Sequence, residues 1–492
     1  MAFDDSEYRA DTYGAPDFYC DCTRSLASNG DGSLGDPWNL NQAMASAIAG
    51  NVVGFIPVAD GAQANPVDMA APNDHEVPAF QPANSGTGDA IANRIVFVTK
   101  YAAVALSSVA TNGNRTELRH AGTPAAATGD TETGTGGPTY GGYQRDFITY
   151  DGFFVDMQHA EIKSDGGVIT TRETEGITCC NFEIKGKTTN CQSNAVLYRP
   201  QSCTGTILRN FRAYDFSNDP TGSNVQQAGL FSDQYGDQNF LIEHFEIDNI
   251  DMGIFMKGTA PNGFNYGTIQ YGIVSDCASP FRFNDLHATE MSYVRYCLAY
   301  NTIGDRPKPL SPDGIVWDVI SSSPRNLTID HCTIAKIDSA DMNVNAALFV
   351  EGTDFSMASG VVITNNIFDM DNGSNGHQVA LGDALPDTMN HNFYYKNGGS
   401  ETYVYNGSQH NSFGAWQGAI SGRDANSAEG SSSPFNDRTN DDYTINTGHA
   451  AYTMSSTGGE VGCYAGSDVI GVDVTASSSS PSATGNLALF LR

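Results

Sequence analysis

The sequence predicts an all-β protein whose short strands stack as a solenoid, and three observations support this. Gly makes up 52 of the 492 residues, and Asn, Ser, Thr and Asp crowd the stretches between short apolar runs. Within each run, apolar and polar residues alternate, which is the pattern of a strand with one buried face. The runs recur at steps of 25–35 residues without helical periodicity, a spacing typical of stacked repeats.

One strand recurs along the middle of the chain with a bend-forming residue at its centre. Its copies are ITCCNFEI (177–184), ILRNFRAY (207–214), LIEHFEID (241–248), IQYGIVSD (269–276), VRYCLAYN (294–301), IDHCTIAK (329–336) and ITNNIFDM (363–370). A sharp bend needs a residue that tolerates unusual backbone angles, or a side chain that can hydrogen-bond along the stack. Alignment on the central position predicts the column of bends Gly152, Asn181, Asn210, His244, Gly272, Cys297, Cys332, Asn366 and Asn392.

A second strand recurs in the same units and contains the candidate site. Its copies are AVLYR (195–199), AGLFSD (228–233), MGIFMKG (252–258), SPFRFND (279–285), DGIVWD (313–318), AALFVEG (346–352) and VALGD (379–383). We align them on Gly229, Gly253, Pro280, Gly314, Ala347 and Ala380. Four residues later, this alignment predicts the outward column Asp233, Lys257, Asn284, Asp318 and Glu351. Because neighbouring strands lie about 4.8 Å apart, we expect these residues and Arg282 to form one patch.

The repeat resembles the right-handed parallel β-helix of pectate lyases, alginate lyases and phage tailspikes over about residues 90–400. The resemblance implies the architecture more strongly than an activity, because this fold carries several activities. The chain then divides into an N-terminal lead-in and capping segment, the β-helix, an irregular C-terminal β region, and a flexible linker with an apolar terminal peptide. The corresponding ranges are 1–89, 90–400, 401–474 and 475–492.

The two ends of the solenoid have their own predicted structure. In DPWNLNQAMASAIAGN (36–51), apolar residues at helical spacing predict a helix that caps the open end, and VVGFIPV (52–58) reads as the first strand. The segment NGDGSLGDPWNLNQAMASAIAG (29–50) resembles the lead-in segment of many β-helix proteins. Towards the C-terminus, GCYAGSDVIGVDV (462–474) predicts a last pair of strands. NLALFLR (486–492) either packs back on the body or docks on a neighbouring subunit.

Composition limits the possible partners. The net charge of −31 argues against non-specific nucleic-acid binding and against binding to anionic membranes. It also disfavours a broadly basic groove, although a local basic site remains compatible with it. The sequence contains no apolar run of about 18 residues and no signal-peptide pattern, so we expect neither a transmembrane span nor a secretion signal. The ten cysteines lack zinc-site spacing and are expected to be buried free thiols.

The stretches MGIFMKG (252–258) and FRFND (281–285) resemble the Lys-then-Arg pair of the chondroitinase-B and alginate-lyase group of β-helix lyases. β-Elimination removes a proton beside a uronate carboxyl group, which requires a base and a group that stabilises the enolate-like intermediate. The resemblance implies Lys257 as the base and Arg282 as the acid or charge stabiliser. The outward column beside them predicts Asp233, Asn284, Asp318 and Glu351 as substrate-binding residues. That group carries a glutamate pair for calcium before the lysine. Here the nearby acids are Glu246, Asp248 and Asp251, so we predict no cofactor, with calcium as an alternative that no clear motif supports.

A glycoside hydrolase is a further alternative, because it requires two carboxylates. Asp318 and Glu351 lie one predicted coil apart, about 5 Å, which matches the separation in a retaining pair. The histidines His244, His287 and His331 are expected to have structural roles in turns or at the surface.

Two function classes therefore remain open. The first is a virion-surface protein, tailspike- or fibre-like, that binds host surface glycans as a homotrimer or with other virion subunits and that can include depolymerase activity. The second is a polysaccharide lyase that acts on a uronate-containing polysaccharide. Both place the protein at a virion surface or outside the cell.

Overall fold

In the computed structural model, the chain forms two compact units, which are Met1–Phe216 with Val472–Arg492, and Ser217–Gly471. We call them unit 1 and unit 2. The residues that the structure describes are 10–21, 24–25, 27–56, 82–99, 117–119, 140–156, 167–185, 196–216, 228–232, 238–250, 252–257, 266–277, 279–284, 290–302, 315–318, 326–337, 345–351, 360–370, 376–382, 385–397, 402–466 and 468–472.

The described part of unit 1 consists of short strands with two short helices near its start. The helices are α1 (Ala10–Tyr13) and α2 (Leu40–Ser46). The strands are β1 (Phe18–Asp21), β2 (Val52–Ile56), β3 (Ile95–Thr99), β4 (Glu117–Arg119), β5 (Tyr140–Tyr143), β6 (Ile148–Asp151), β7 (Phe154–Asp156), β8 (Gly167–Arg172), β9 (Thr178–Lys185), β10 (Val196–Gln201) and β11 (Ile207–Phe216).

These strands pair in parallel ladders, in which each strand is one rung. One ladder runs β1–β2–β3–β6–β9–β11, and β4–β7–β9 lies beside it. Another ladder runs β5–β8–β10. The first rung is β1, so the expectation that residues 52–58 start the ladder is wrong. Parallel pairing of short strands from successive repeats is compatible with the predicted solenoid.

A loop, rather than the predicted helix, pairs with the outer edge of β1. The Tyr19 N–H donates to the Gly32 carbonyl at 2.8 Å, and the Asp21 N–H donates to the Trp38 carbonyl at 2.9 Å. The Phe18 and Trp38 rings stack with centroids 4.1 Å apart. Helix α2 begins after Asn39, whose side chain accepts from the Gln42 N–H. A covered edge cannot pair with another chain.

The described part of unit 2 continues the same pattern and ends in a mixed region. Its strands are β12 (Ala228–Ser232), β13 (Gln238–Ile250), β14 (Met252–Lys257), β15 (Tyr266–Ser275), β16 (Ser279–Asn284), β17 (Ser292–Arg295), β18 (Leu298–Thr302), β19 (Ile315–Asp318), β20 (Leu327–Asp330), β21 (Thr333–Ile337), β22 (Asn345–Glu351), β23 (Val361–Thr364), β24 (Ile367–Met370), β25 (Gly376–Leu381), β26 (Thr388–Asn390), β27 (Phe393–Lys396), β28 (Thr402–Tyr405), β29 (Ser408–His410), β30 (Ala428–Gly430), β31 (Phe435–Asp437) and β32 (Asp442–Ile445). Its helix is α3 (Phe413–Ala419).

Unit 2 contains three parallel series of strands. The series β12–β14–β16–β19–β22–β25–β28 ends in the antiparallel strand β29. The other two parallel series are β13–β15–β17–β20–β23–β26 and β15–β18–β21–β24–β27–β30. The described chain is therefore mostly β, with long parallel ladders in each unit.

The predicted column of bends is correct in the first repeats and shifted by one residue in the later ones. Asn181, Asn210 and His244 have left-handed backbones, with φ of 50°, 53° and 52°. The register partner of His244 lies between Gln270 and Gly272, so it is Tyr271 rather than Gly272. The later bends are Tyr271, Tyr296, His331, Asn365 and His391, all at positive φ. The pattern missed these positions because Tyr rarely adopts this conformation.

The alignment of the second strand also contains one register error. It pairs Ala347 with Ala380, whereas the structure pairs Phe349 with Ala380, a difference of two residues. A shift of two keeps the same strand face, so alternation alone could not detect it.

The segment predicted as a final strand pair, residues 462–474, forms no strand in its described part. Cys463–Ala465 is instead a turn of 3₁₀ helix. Residues 454–466 and 468–471, which we call the C-terminal strap, run along the outside of the bend column. The Gly462 N–H donates to the Asn365 carbonyl at 2.8 Å, and the Gly471 N–H donates to the Tyr271 carbonyl at 2.9 Å. These contacts join residues about 100 to 200 positions apart and have no local sequence pattern.

The cysteines fill the interior as predicted. All eight cysteines in the described part of the chain are buried and free: Cys20, Cys179, Cys180, Cys203, Cys277, Cys297, Cys332 and Cys463. Burial raises the pKa of the Cys179 and Cys332 thiols well above the usual range. A buried thiol of high pKa is unreactive, so these residues contribute packing.

Candidate functional site

The backbone register aligns most of the predicted column. Lys257 pairs with Asn284, Asn284 pairs with Asp318, and Asp318 pairs with Glu351. These four residues therefore hold the same position on β14, β16, β19 and β22, with neighbouring strands about 4.8 Å apart. The structure describes them at the level of the backbone, and Asp233 lies outside the described residues.

Arg282 lies beside this column and contacts an aromatic ring. Its register partner is Phe255, two residues before Lys257, so Arg282 and Lys257 are diagonal neighbours on adjacent strands. The guanidinium carbon of Arg282 lies 5.4 Å from the centroid of the Phe255 ring, and Phe255 is buried. A cation over an aromatic face is attracted by the ring quadrupole, which holds the positive charge of Arg282 at this position.

A second polar line, which the sequence did not reveal, crosses β13, β15 and β17. The Gln270 Nε2 donates to Glu243 Oε2 at 2.6 Å, and the Arg295 Nε donates to Gln270 Oε1 at 2.8 Å. Glu243 and Gln270 are each 7% exposed. Hydrogen bonds in such a chain polarise one another, so this line fixes the orientation of its members.

Asp330 continues the same column and orients a histidine. It pairs in register with Arg295 and accepts from His331 Nδ1 at 2.9 Å, Asn365 Nδ2 at 2.7 Å and Thr364 Oγ1 at 2.8 Å. Burial alone raises the pKa of Asp330, but the hydrogen bonds outweigh it and leave this pKa below its usual value. Asp330 is therefore held as a carboxylate with three donors.

His331 belongs to a stack of rings on the bend column. Successive centroids from His244 through Tyr271 and Tyr296 to His331 are 5.2, 5.3 and 5.1 Å apart. The strap covers this stack, since His244 Nδ1 donates to the Val469 carbonyl at 3.0 Å. Burial, reinforced by Asp468, raises the pKa of Tyr271 to about 12. The stack is thus a docking surface for the strap, and His244 and His331 have the structural roles that the sequence predicts; His287 lies outside the described residues.

Unit 1 has a charged cluster on β9 and β11, just after the bends at Asn181 and Asn210. Glu183 and Arg212 each lie two residues after a bend, and they pair in register. Lys185 and Tyr214, two residues further along, also pair in register. The Tyr214 hydroxyl donates to Glu183 Oε1 at 2.7 Å. Burial and this carboxylate raise the pKa of Tyr214 above its usual value. The repeats ITCCNFEI and ILRNFRAY carry charges two residues after the bend, as LIEHFEID does with Glu246, whereas most later repeats carry an apolar residue there, and this difference was the available signal.

Ser432 and His449 are adjacent but cannot act as a nucleophile and its base. The Ala451 N–H donates to His449 Nδ1 at 3.2 Å, so in the neutral ring the proton lies on Nε2. That Nε2 lies 3.2 Å from Ser432 Oγ and donates to it. Because Nε2 already carries its proton, it cannot accept one from the serine.

Three further findings bear on the site. In the described part of the chain, no three His, Cys, Asp or Glu side chains group in a way that could hold a metal ion. The helices that the structure describes include none of the length and apolarity needed to cross a membrane. Comparison with protein-family models, with curated proteins and with solved structures found no match to the chain.

Proposed function

We propose that this chain is a right-handed parallel β-helix protein of a virion surface, tailspike- or fibre-like, that binds host surface glycans. In this proposal the parallel ladders form its coils, and the loop that pairs with β1 closes its N-terminal edge. The observation that carries the proposal is the register of Lys257, Asn284, Asp318 and Glu351, which repeats a polar residue on four consecutive rungs. A polysaccharide is itself an extended repeat and can contact successive rungs of such a column.

The residue types in and beside this column suit sugar recognition. Carboxylates accept from sugar hydroxyls, whereas Lys, Arg and Asn donate to ring and hydroxyl oxygens. Arg282 is held over Phe255, which reduces the entropy lost when it orders on a ligand. The virion-surface location and the homotrimer rest on the resemblance to phage tailspikes.

A glycan array tests the binding function with the intact chain. We expect wild type to bind a defined set of bacterial surface glycans and Arg282→Ala to lose at least about 10-fold in affinity, which corresponds to the loss of one buried polar contact. Lys336→Ala is the matched control, because Lys336 lies on β21 of the same unit, outside the ladder that carries the column, and pairs with Asp441. Absence of any bound glycan would exclude the function.

The assembly is tested separately by the mass in solution. A tailspike-like protein forms a trimer, so we expect the mass of three chains of 52.4 kDa. A monomer at micromolar concentration would contradict the virion-spike assignment without affecting glycan binding.

A polysaccharide lyase is the second candidate, and the diagonal placement of Lys257 and Arg282 favours it. In this mechanism, Lys257 takes the C5 proton beside the uronate carboxyl group and Arg282 stabilises the negative charge that develops. The C4–O glycosidic bond then breaks as the C4=C5 double bond forms, and the leaving oxygen takes up a proton. Absorbance at the unsaturated-uronate band, measured on alginate, pectate and glycosaminoglycans, should rise with wild type and stay flat with Lys257→Ala. No rise on any of these polymers would exclude the lyase.

A further inference from the structure

The charged cluster of unit 1 differs from the equivalent face of unit 2. In unit 2, the positions two residues after the six bends hold Glu246 and Thr333 in two rungs and apolar residues in the other four, which are Ile273, Leu298, Ile367 and Phe393. The last three of these pack in an apolar cluster with Tyr443 and Ile445. In unit 1, the same positions hold Glu183 and Arg212. The ladder therefore does not need charge here, since apolar residues fill the same positions in other rungs.

Glu183 is the most deeply buried member of the cluster. It is 1% exposed, and its Oε1 accepts from the Tyr214 hydroxyl. Its Oε2 is also buried and has no hydrogen-bond partner. A buried carboxylate oxygen without a donor is destabilising, so the folded chain retains a desolvation penalty that a ligand donor would remove.

The neighbours of Glu183 supply donors at the surface. Lys185 is half-buried, and among the residues that the structure describes it has no ion-pair partner. The guanidinium carbon of Arg212 lies 5.7 Å from the centroid of the Tyr214 ring. The long side chains of Lys185 and Arg212 can each extend a donor towards a ligand at this face.

We infer that Glu183, Lys185, Arg212 and Tyr214 form a subsite for a neutral sugar, with Glu183 Oε2 accepting from one hydroxyl and Lys185 donating to an adjacent one. A hydroxyl is the donor that the buried oxygen lacks. The anionic group of a carboxylated or sulfated sugar fits poorly at Oε2, because it has no proton to donate and would repel the Glu183 carboxylate. This inference rests on the proposed glycan-binding function and gives its ligand class.

The experiment measures binding of the intact protein to neutral and acidic bacterial oligosaccharides on one array, followed by titration of the strongest neutral ligand. We expect neutral glycans to bind and 0.5 M NaCl to change their affinity less than about 3-fold, because no net charge is neutralised. We expect Glu183→Gln and Lys185→Gln each to weaken binding at least about 10-fold, since each loses one polar contact to the ligand.

Two features of this experiment separate a binding role from a structural one. Glu183→Gln preserves shape and can still accept from Tyr214, so its thermal midpoint should match wild type while its affinity falls. Lys336→Gln, a lysine variant in unit 2, should bind as wild type does.

The outcomes that overturn the inference are distinct from those that overturn the proposed function. Binding that survives both cluster variants, or binding of acidic glycans only, rejects this subsite and leaves the proposed function intact. Absence of all glycan binding by folded wild type rejects both.

Discussion

Asn366 and Asn392 occupy the same position on successive rungs of unit 2, and Asn392 Oδ1 accepts from both the backbone N–H and the Nδ2 of Asn366, each at 3.0 Å. Asn366 Oδ1 in turn accepts from the Cys332 N–H at 2.8 Å. Both asparagines are fully buried. This ladder satisfies the backbone groups that the neighbouring bends at Asn365 and His391 leave unpaired.

Removal of the ladder should destabilise the fold. Asn392→Ala leaves the Asn366 N–H and Nδ2 without their shared acceptor in the interior, and we expect a loss of about 2–4 kcal/mol in the free energy of unfolding. Urea unfolding measures this loss. Asn436→Ala, which removes an exposed hydrogen bond to Thr444, should change stability by less than about 0.5 kcal/mol. Equal effects of the two variants would contradict the structural role of the ladder.

The ion pair of Arg438 with Asp369 should be far stronger than that of Lys336 with Asp441. Arg438 contacts both carboxylate oxygens of Asp369, at 2.7 and 3.1 Å, and Asp369 is fully buried. Arg438→Ala leaves an uncompensated buried charge, for which we expect a loss of about 3–5 kcal/mol. Lys336→Ala breaks a pair whose Asp441 is 40% exposed, so we expect a loss below about 1 kcal/mol.

Chemical unfolding of these two variants at pH 7 makes the comparison. A loss below about 1 kcal/mol for Arg438→Ala would show that Asp369 finds another partner or water.

The strap should depend on a glycine at one position. Gly462 has φ of +87°, and a Cβ there would lie 2.7 Å from Thr333 Oγ1 and 2.8 Å from Ile367 Cδ1. Gly458 has a similar φ of +82°, but a Cβ added at Gly458 would have no atom within 4 Å. Both alanine variants incur backbone strain of about 1 kcal/mol, and Gly462→Ala adds the clash, about 1–3 kcal/mol more. The thermal unfolding midpoint of Gly462→Ala should therefore lie well below that of Gly458→Ala. Equal midpoints would reject close docking of the strap.

Asp330 should make stability fall in acid. The pKa of Asp330 is lowered in the fold, so its contribution is present above the unfolded pKa of about 3.9 and is lost as pH falls through the folded pKa. We expect wild type to lose more free energy of unfolding than Asp330→Asn between pH 5 and pH 2.5. Urea unfolding across this range measures the difference, and parallel curves would mean that Asp330 titrates normally.

Much of the ladder could be predicted from the sequence, because alternation and repeat spacing are local signals. Lys257, Asn284, Asp318 and Glu351 fall in register because the spacing of their strands follows the repeat. The bends at Tyr271 and Tyr296 could not be predicted, since their left-handed backbones are supported by ring stacking and by the strap. The strap itself depends on contacts between distant residues, such as Gly471 with Tyr271.

The candidate sites were only partly predictable for the same reason. Asp330 becomes a carboxylate with three donors only after β20 and β23 pair. The charges of the cluster around Glu183 are visible in the repeats, but the burial of Glu183 is a property of the folded chain.

The most direct test of the central claim is equilibrium binding of the glycan selected on the array to wild type, Arg282→Ala and Lys336→Ala. We predict saturable binding by wild type, binding at least about 10-fold weaker in Arg282→Ala, and unchanged binding in Lys336→Ala. Equal affinity of Arg282→Ala and wild type, or no binding by the folded wild-type chain, would contradict the account.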